Sequence, residues 1–197
     1  MPPAPRGRSV LPVTSANSPA PGPLGASVIV ITGAMAAGKS TVADALARRL
    51  PLAAHVRGDT FRRAMVSGQA PMDPPLSAAA RAQLDLRHEL AAQAADTYAA
   101  RGVTAVVQDI LLGDDLARFL GRLRTRPRYA VVLVPDAATL AARDAARHKQ
   151  GYGAWTPDEL AAEAEATAGG LHLDTGGRDV DATVDEILDR LEEARVP

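Results

Sequence analysis

Apolar runs too short to be helices alternate with longer stretches of helical periodicity along most of this chain. Val28-Ile29-Val30-Ile31-Thr32 is β-branched and apolar without alternation, the pattern of a strand buried on both faces. Residues 52–56 read as a weaker second strand, 103–107 as a third, 129–134 as a fourth and 171–173 as a short fifth. Between them the period changes. Val42, Ala45, Leu46 and Leu50 recur at helical spacing until Pro51. Residues 60–66 form a short helix, and the proline-rich stretch 67–75 cannot continue it. Ser77 caps a long helix that runs to about Arg101 and stops at Gly102, with Leu84, Leu86, Leu90, Ala94 and Tyr98 as its predicted inward stripe. Asp114 or Asp115 starts a helix through Leu116, Phe119, Leu120 and Leu123, and Pro135-Asp136 opens another that reaches about Arg147. Gln150-Gly151-Tyr152-Gly153 breaks the pattern. Thr156-Pro157-Asp158-Glu159 then restarts it as a capping box with proline in the first turn. Val184, Ile187, Leu188 and Leu191 mark a closing amphipathic helix.

Such alternation predicts an α/β fold with a parallel sheet covered on both faces. Ligands of such sheets sit beyond the carboxyl ends of the strands. The segment 33–40, Asp59, Asp109 and Asp174 each follow a predicted strand end, so all should line one edge.

Composition narrows the classes. The 22 basic and 23 acidic residues give a net charge of −1, which offers nothing for bulk nucleic-acid or anionic-membrane binding. There is no cysteine, so disulfides, thiolate metal sites and a cysteine nucleophile are excluded, in keeping with a cytoplasmic protein. No apolar run reaches membrane-spanning length. Seven of the fifteen prolines fall in residues 1–25, which read as a disordered tail ahead of one domain over 26–197. His55, His88, His148 and His172 show no metal-ligand spacing.

Between the first strand and the first helix stands Gly33-Ala34-Met35-Ala36-Ala37-Gly38-Lys39-Ser40-Thr41, which fits G-x-x-x-x-G-K-S/T. The glycines permit a tight loop whose N–H groups cradle phosphates, and the helix start adds partial positive charge. Lys39 would reach the outer phosphates, and the Ser40 hydroxyl would bind Mg²⁺. Asp59, after the second strand, is placed to accept a proton from, or to bind, an acceptor hydroxyl, or simply to cap the next helix. Asp109, after the third strand, would serve either the metal or the acceptor. Arg143 and Arg147 share a helix face just before the glycine break, so residues of about 143–156 read as a lid whose guanidiniums close over the transferring group. Arg62, Arg63, Met65, Met72, Arg87 and His88 would shape the acceptor pocket, with Trp155 packed at the base of the lid.

Four segments together resemble the chloramphenicol phosphotransferase-like family of P-loop small-molecule kinases. They are 33–41, Arg57-Gly58-Asp59-Thr60, 107–113 and Arg143-Asp144-Ala145-Ala146-Arg147. The resemblance implies a three-layer P-loop NTPase fold of the kinase type, with a five-stranded parallel sheet, a helical lid, and the loop strand between the third and fourth strands in sequence. It implies ATP and Mg²⁺, a base at Asp59, lid arginines at Arg143 and Arg147, and adenine beside the loop after Asp174. The implied activity is phosphorylation of a small-molecule hydroxyl, an antibiotic or secondary metabolite being preferred. A toxin-like or metabolic kinase of a nucleotide sugar or sugar acid, which Arg62 and Arg63 would suit, is the alternative, and a nucleotide-dependent switch is another. Gln108-Asp109 stands where the chloramphenicol enzyme has paired acidic residues, and D-x-D of shikimate-type kinases is replaced by Asp59-Thr60-Phe61.

Overall fold

The structure, a computed structural model, describes residues 24–146 and 152–197. Nearly all of the expected tail lies outside the described residues, as do Arg147, His148 and Lys149.

The apolar runs become strands β1 (Val28–Gly33), β2 (Ala53–Arg57), β3 (Thr104–Gln108), β4 (Arg128–Leu133) and β5 (Leu171–Leu173). They pair in parallel in the order β2-β3-β1-β4-β5, so β1 lies between β3 and β4 as the resemblance implies. Every residue of β1, β3 and β4 is buried, which is why these runs show no polar alternation. One strand is new: β6 (Arg195–Val196) pairs antiparallel with β4, making the sheet six-stranded. Two residues are too short to carry a periodic signal.

Helices α1 (Lys39–Arg49), α2 (Gly58–Arg63), α3 (Ala78–Ala99), α4 (Asp114–Arg122), α5 (Ala137–Ala145), α6 (Pro157–Ala166) and α7 (Val180–Asp189) fill the connections. Their starts follow local chemistry. The side chains of Ser77, Asp136 and Asp179 each accept a backbone N–H of the first turn, and Thr156 with Glu159 forms the full capping box. Helix α2 begins two residues earlier than Thr60, so Asp59 sits inside its first turn rather than before it.

The stripe predicted for α3 is rotated from the observed one. Its buried residues include His88, Ala91, Ala92, Ala95 and Ala99, whereas Leu86 and Tyr98 are 44% and 46% exposed. Small side chains let the helix approach β3 closely, and a pattern weighted toward large apolar residues misses that face. No described helix is long and apolar enough to cross a membrane.

Two hydrogen bonds fix the edge where the site forms. Thr32 Oγ1 donates to Leu111 O at 3.0 Å and accepts from Leu111 N at 2.8 Å. They fasten the end of β1 to the segment leaving β3.

Candidate active site

The loop after β1 is shaped by close approach. Gly33 has φ 141°, and a Cβ there would lie 2.5 Å from Leu133 O of the neighbouring strand. Gly38, at φ 96°, is the N-cap of α1. Between them Ala36 takes φ 61°, a left-handed conformation unusual for a residue with a side chain. The carbonyls are tied down by groups around the loop. Ala34 O accepts from Lys39 Nζ at 2.7 Å, Met35 O from the Tyr152 hydroxyl at 2.7 Å, and Ala37 O from Arg143 and from Thr175 Oγ1, both at 3.3 Å. Gly38, Lys39 and Ser40 open an eleven-residue helix, and the N–H groups at such a start have no intrahelical acceptor. Held carbonyls and unclaimed amides at a helix start form a cradle for anionic oxygens.

Ser40 Oγ donates to Gln108 Oε1 at 3.1 Å. Hydroxyl and amide oxygens are hard donors, which suits Mg²⁺ held mainly by phosphates and water. Among the described residues no group of three or more His, Asp or Glu is arranged to hold a metal alone. Asp109 is committed elsewhere. It is wholly buried, and Arg87 pairs with both of its oxygens, Nε to Oδ2 at 2.7 Å and Nη2 to Oδ1. Oδ1 also accepts Ile110 N–H at 2.7 Å, and His88 Nε2 lies 4.0 Å from Oδ2. Burial outweighs the nearby carboxylates and keeps the His88 imidazole below its usual range. The Asp109 carboxylate lies against Gly58, where a Cβ would fall 1.8 Å from Oδ2. In this structure the Asp109 carboxylate orients Arg87, and Gln108 is the β3 residue that meets Ser40.

Two cavities flank the loop. One, of about 290 Å³, is lined by Ala36, Ala37, Gly38 and Thr41 on the loop side and by Arg143, Thr175 and Val180 opposite. Arg143 is anchored here: Nη2 donates to Thr175 O at 2.6 Å and Nη1 to Thr175 Oγ1 at 3.2 Å. It thus flanks the loop, between Ala37 and Thr175. Asp174 is exposed, and its Oδ1 accepts Gly176 N–H at 2.7 Å. It shapes the turn, and Thr175, the next residue, lines the cavity.

The other cavity, of about 340 Å³, lies beyond Met35. Arg62 from α2, Arg87 from α3 and Asp109 line it, together with Met72, Tyr152 and Trp155. Trp155 Nε1 donates to Met72 O at 3.1 Å, which ties the residues before α6 to the loop before α3. Arg63 is not on this wall. It is exposed and pairs with Asp59 one turn earlier on α2. Asp59 itself is 37% exposed, with Oδ2 engaged by Arg63. Strand β3 separates it from the loop strand, so the ends of β1 and β2 stand about 10 Å apart, two strand spacings. Arg81, Asp73 and Glu163 also line this cavity. Nothing in their local sequence singled them out, since each arrives from a different connection. Tyr152 carried a weak signal, as an aromatic ring inside a glycine-broken segment. A larger open groove of about 920 Å³ lies at the amino ends of β3 and β4, between α3 and residues 122–126, and touches no loop residue.

A family profile described as an AAA domain matches residues 28–167. No curated protein matches the chain in sequence. Solved structures do resemble it. An APS kinase from Mycobacterium tuberculosis, in complex with AMPPNP and APS, superposes with a TM-score of 0.62 at 21% identity, over 84% of this chain and 97% of that one. A tunicamycin resistance protein from Deinococcus radiodurans gives 0.61 at 14% identity, over 87% and 98%. A gluconokinase from Sinorhizobium meliloti 1021 gives 0.56 at 21% identity, over 84% and 91%. At these identities the likeness shows a shared P-loop fold.

Proposed function

The chain belongs to the AAA-domain family, and from that membership and the site we propose an ATP- and Mg²⁺-dependent kinase that phosphorylates a hydroxyl of a small molecule. One observation carries the reading: a single phosphate loop lies between two cavities of small-molecule size, with Ala36, Ala37 and Gly38 on one and Met35 on the other. A nucleotide base has one cavity and an acceptor the other, and the phosphates span the loop. The chloramphenicol phosphotransferase-like branch, with an antibiotic or secondary metabolite as acceptor, is the finer form of this proposal. The likeness to a tunicamycin resistance protein is compatible with it.

The roles follow from placement. Loop amides and Lys39 hold the phosphates and stabilise charge on the transferring group. Arg143 and Thr175 form the nucleotide wall. Ser40 and Gln108 would hold Mg²⁺, which neutralises the outer phosphates when bound. The acceptor oxygen attacks the γ-phosphorus in line, the bond to the β,γ-bridging oxygen breaks, ADP leaves, and the hydroxyl proton passes to Asp59. Arg63 engages Asp59 Oδ2, and among the described residues no hydrogen bond reaches Oδ1, which would take that proton. Arg87, oriented by Asp109, and Arg62, three residues after Asp59 on α2, position the acceptor.

The test is incubation of the protein with ATP and Mg²⁺ across a library of hydroxyl-bearing small molecules, read by mass spectrometry for gain of one phosphate. A phosphorylated product supports the proposal. ATP binding with phosphate release and no phosphorylated compound would replace it with a nucleotide-dependent switch.

A further inference from the structure

We infer that the acceptor carries its hydroxyl on an apolar, ring-bearing body, which packs against Trp155, Met35 and Met72 in the 340 Å³ cavity. This rests on the kinase reading above and names the chemistry of its second substrate.

The charged residues of this cavity suggest a sugar acid or a nucleotide sugar until their partners are followed. Arg87 spends Nε and Nη2 on the buried Asp109 carboxylate, so each offsets the other's charge. Asp115 is held by Arg118 at 2.6 Å and by Arg81 at 3.3 Å. Arg62 donates Nη2 to Ala70 O at 3.0 Å, and Arg63 pairs with Asp59 away from this wall. Arg81, Asp73 and Glu163 are exposed, and charges standing in water hold a ligand weakly. A phosphate or carboxylate binds best to guanidiniums free of other anions. A sugar needs a polar partner for each hydroxyl it takes out of water. The wall is a poor match for either.

The inner surface is of the opposite kind. Leu112, Tyr152 and Leu160 are buried there, and Met35, Met72 and Trp155 are partly buried. Both aromatic side chains spend their polar atoms on backbone. The Tyr152 hydroxyl donates to Met35 O at 2.7 Å, and Trp155 Nε1 donates to Met72 O at 3.1 Å. What they leave to the cavity is ring carbon, and the methionines leave it thioether. These groups come from three separate stretches of chain: the phosphate loop, the loop before α3 and the residues before α6. Their convergence around a hollow of small-molecule size is therefore not the buried face of any one helix. Apolar surface facing water is unfavourable, and the body of a bound molecule would cover it. Rings and methionine sulfur favour a ring in return. Met35 is itself a residue of the phosphate loop, so a body seated against it is held beside the transferring group.

Trp155 is the only tryptophan of the chain, so its fluorescence reports on this cavity. The full chain is titrated with phenylbutanol and cyclohexylmethanol, and with glucose, gluconate and UDP-glucose. Each compound is then incubated with ATP and Mg²⁺ and followed by mass spectrometry and steady-state kinetics. The ring-bearing alcohols should change the emission saturably and give the highest kcat/KM. Met72→Gln, which keeps the length of the side chain and makes it polar, should raise their KM about tenfold, with kcat changed less than about twofold. Trp155→Ser should do the same, and Trp155→Phe should recover most of the loss. A purely structural role of the bond to Met72 O would give no such rescue, because phenylalanine has no donor. Preferred turnover of glucose, gluconate or UDP-glucose, with KM unmoved by Met72→Gln, would overturn the inference and leave the kinase reading standing. Absence of phosphorylated product from every compound, with ATP still bound, would overturn both, whether or not the emission responds.

Discussion

The two cavities beside the phosphate loop are built by different means. The side proposed for the nucleotide is mainly backbone: loop amides, a helix start, and carbonyls tied down by Lys39, Tyr152, Arg143 and Thr175. The side proposed for the acceptor is mainly side chains delivered by α2, α3, α6 and the loop before α3. Backbone recognition tolerates little change in local sequence, because the dihedrals of the loop are the binding site. Side-chain recognition changes freely while the scaffold stays the same. That contrast accounts for a fold shared with an APS kinase and a gluconokinase at about one-fifth identity.

If the comparison is right, damage on the loop side should be chemical and damage on the acceptor side should divide between binding and folding. The largest effect is expected for Lys39→Ala. It removes the cation nearest the phosphates and should lower kcat/KM by about 10³- to 10⁴-fold without changing the melting temperature much. A variant with wild-type turnover would take Lys39 out of the chemistry. Next is Asp59→Asn, which should reduce kcat by about 10²- to 10³-fold with ATP affinity retained. The estimate lies low in the general-base range because a loose phosphoryl-transfer transition state asks little of a base. Asp59 is partly exposed, so denaturant unfolding of the variant should match the parent.

Asp109→Asn belongs to the other half of the comparison. It leaves the Arg87 guanidinium, whose side chain is only 14% exposed, without its partner. Stability should fall by about 3 kcal/mol and the acceptor KM should rise, while ATP affinity is kept. Gly58→Ala should reproduce this pattern, because its Cβ would occupy the position of the carboxylate. A higher Mg²⁺ requirement in Asp109→Asn, with stability unchanged, would assign Asp109 to the metal.

What could be read in the sequence divides along the same line. The phosphate loop, the five parallel strands and the caps at Ser77, Asp136 and Thr156 are local patterns, and each is present. Gly58 and Asp109 are fifty-one positions apart, and only the pairing of β2 with β3 brings them together. Arg62 and Arg63 are neighbours in sequence, yet successive helix positions diverge by about 100°, and of the two Arg62 meets the cavity. The inward face of α3 was misplaced because alanines carry the contact.

The smallest expected effect tests the loop itself. Ala36 holds φ 61°, where a Cβ crowds the following carbonyl at a cost of about 1 kcal/mol, and glycine would not. Ala36→Gly removes that strain but also loosens the unfolded chain, which offsets part of the gain. The net change in stability should be within about 1 kcal/mol and stabilising if the parent conformation is strained. Because Ala36 and Ala37 line the nucleotide cavity through a loop whose carbonyls are anchored on both sides, its shape should survive the change. ATP affinity should then shift by less than about threefold, read by calorimetry, and acceptor KM not at all. A large loss of ATP affinity would mean that the alanine side chain, and not the neighbouring anchors, sets the loop conformation. The nucleotide half would then depend on side chains as the acceptor half does, and the contrast between the two would fail.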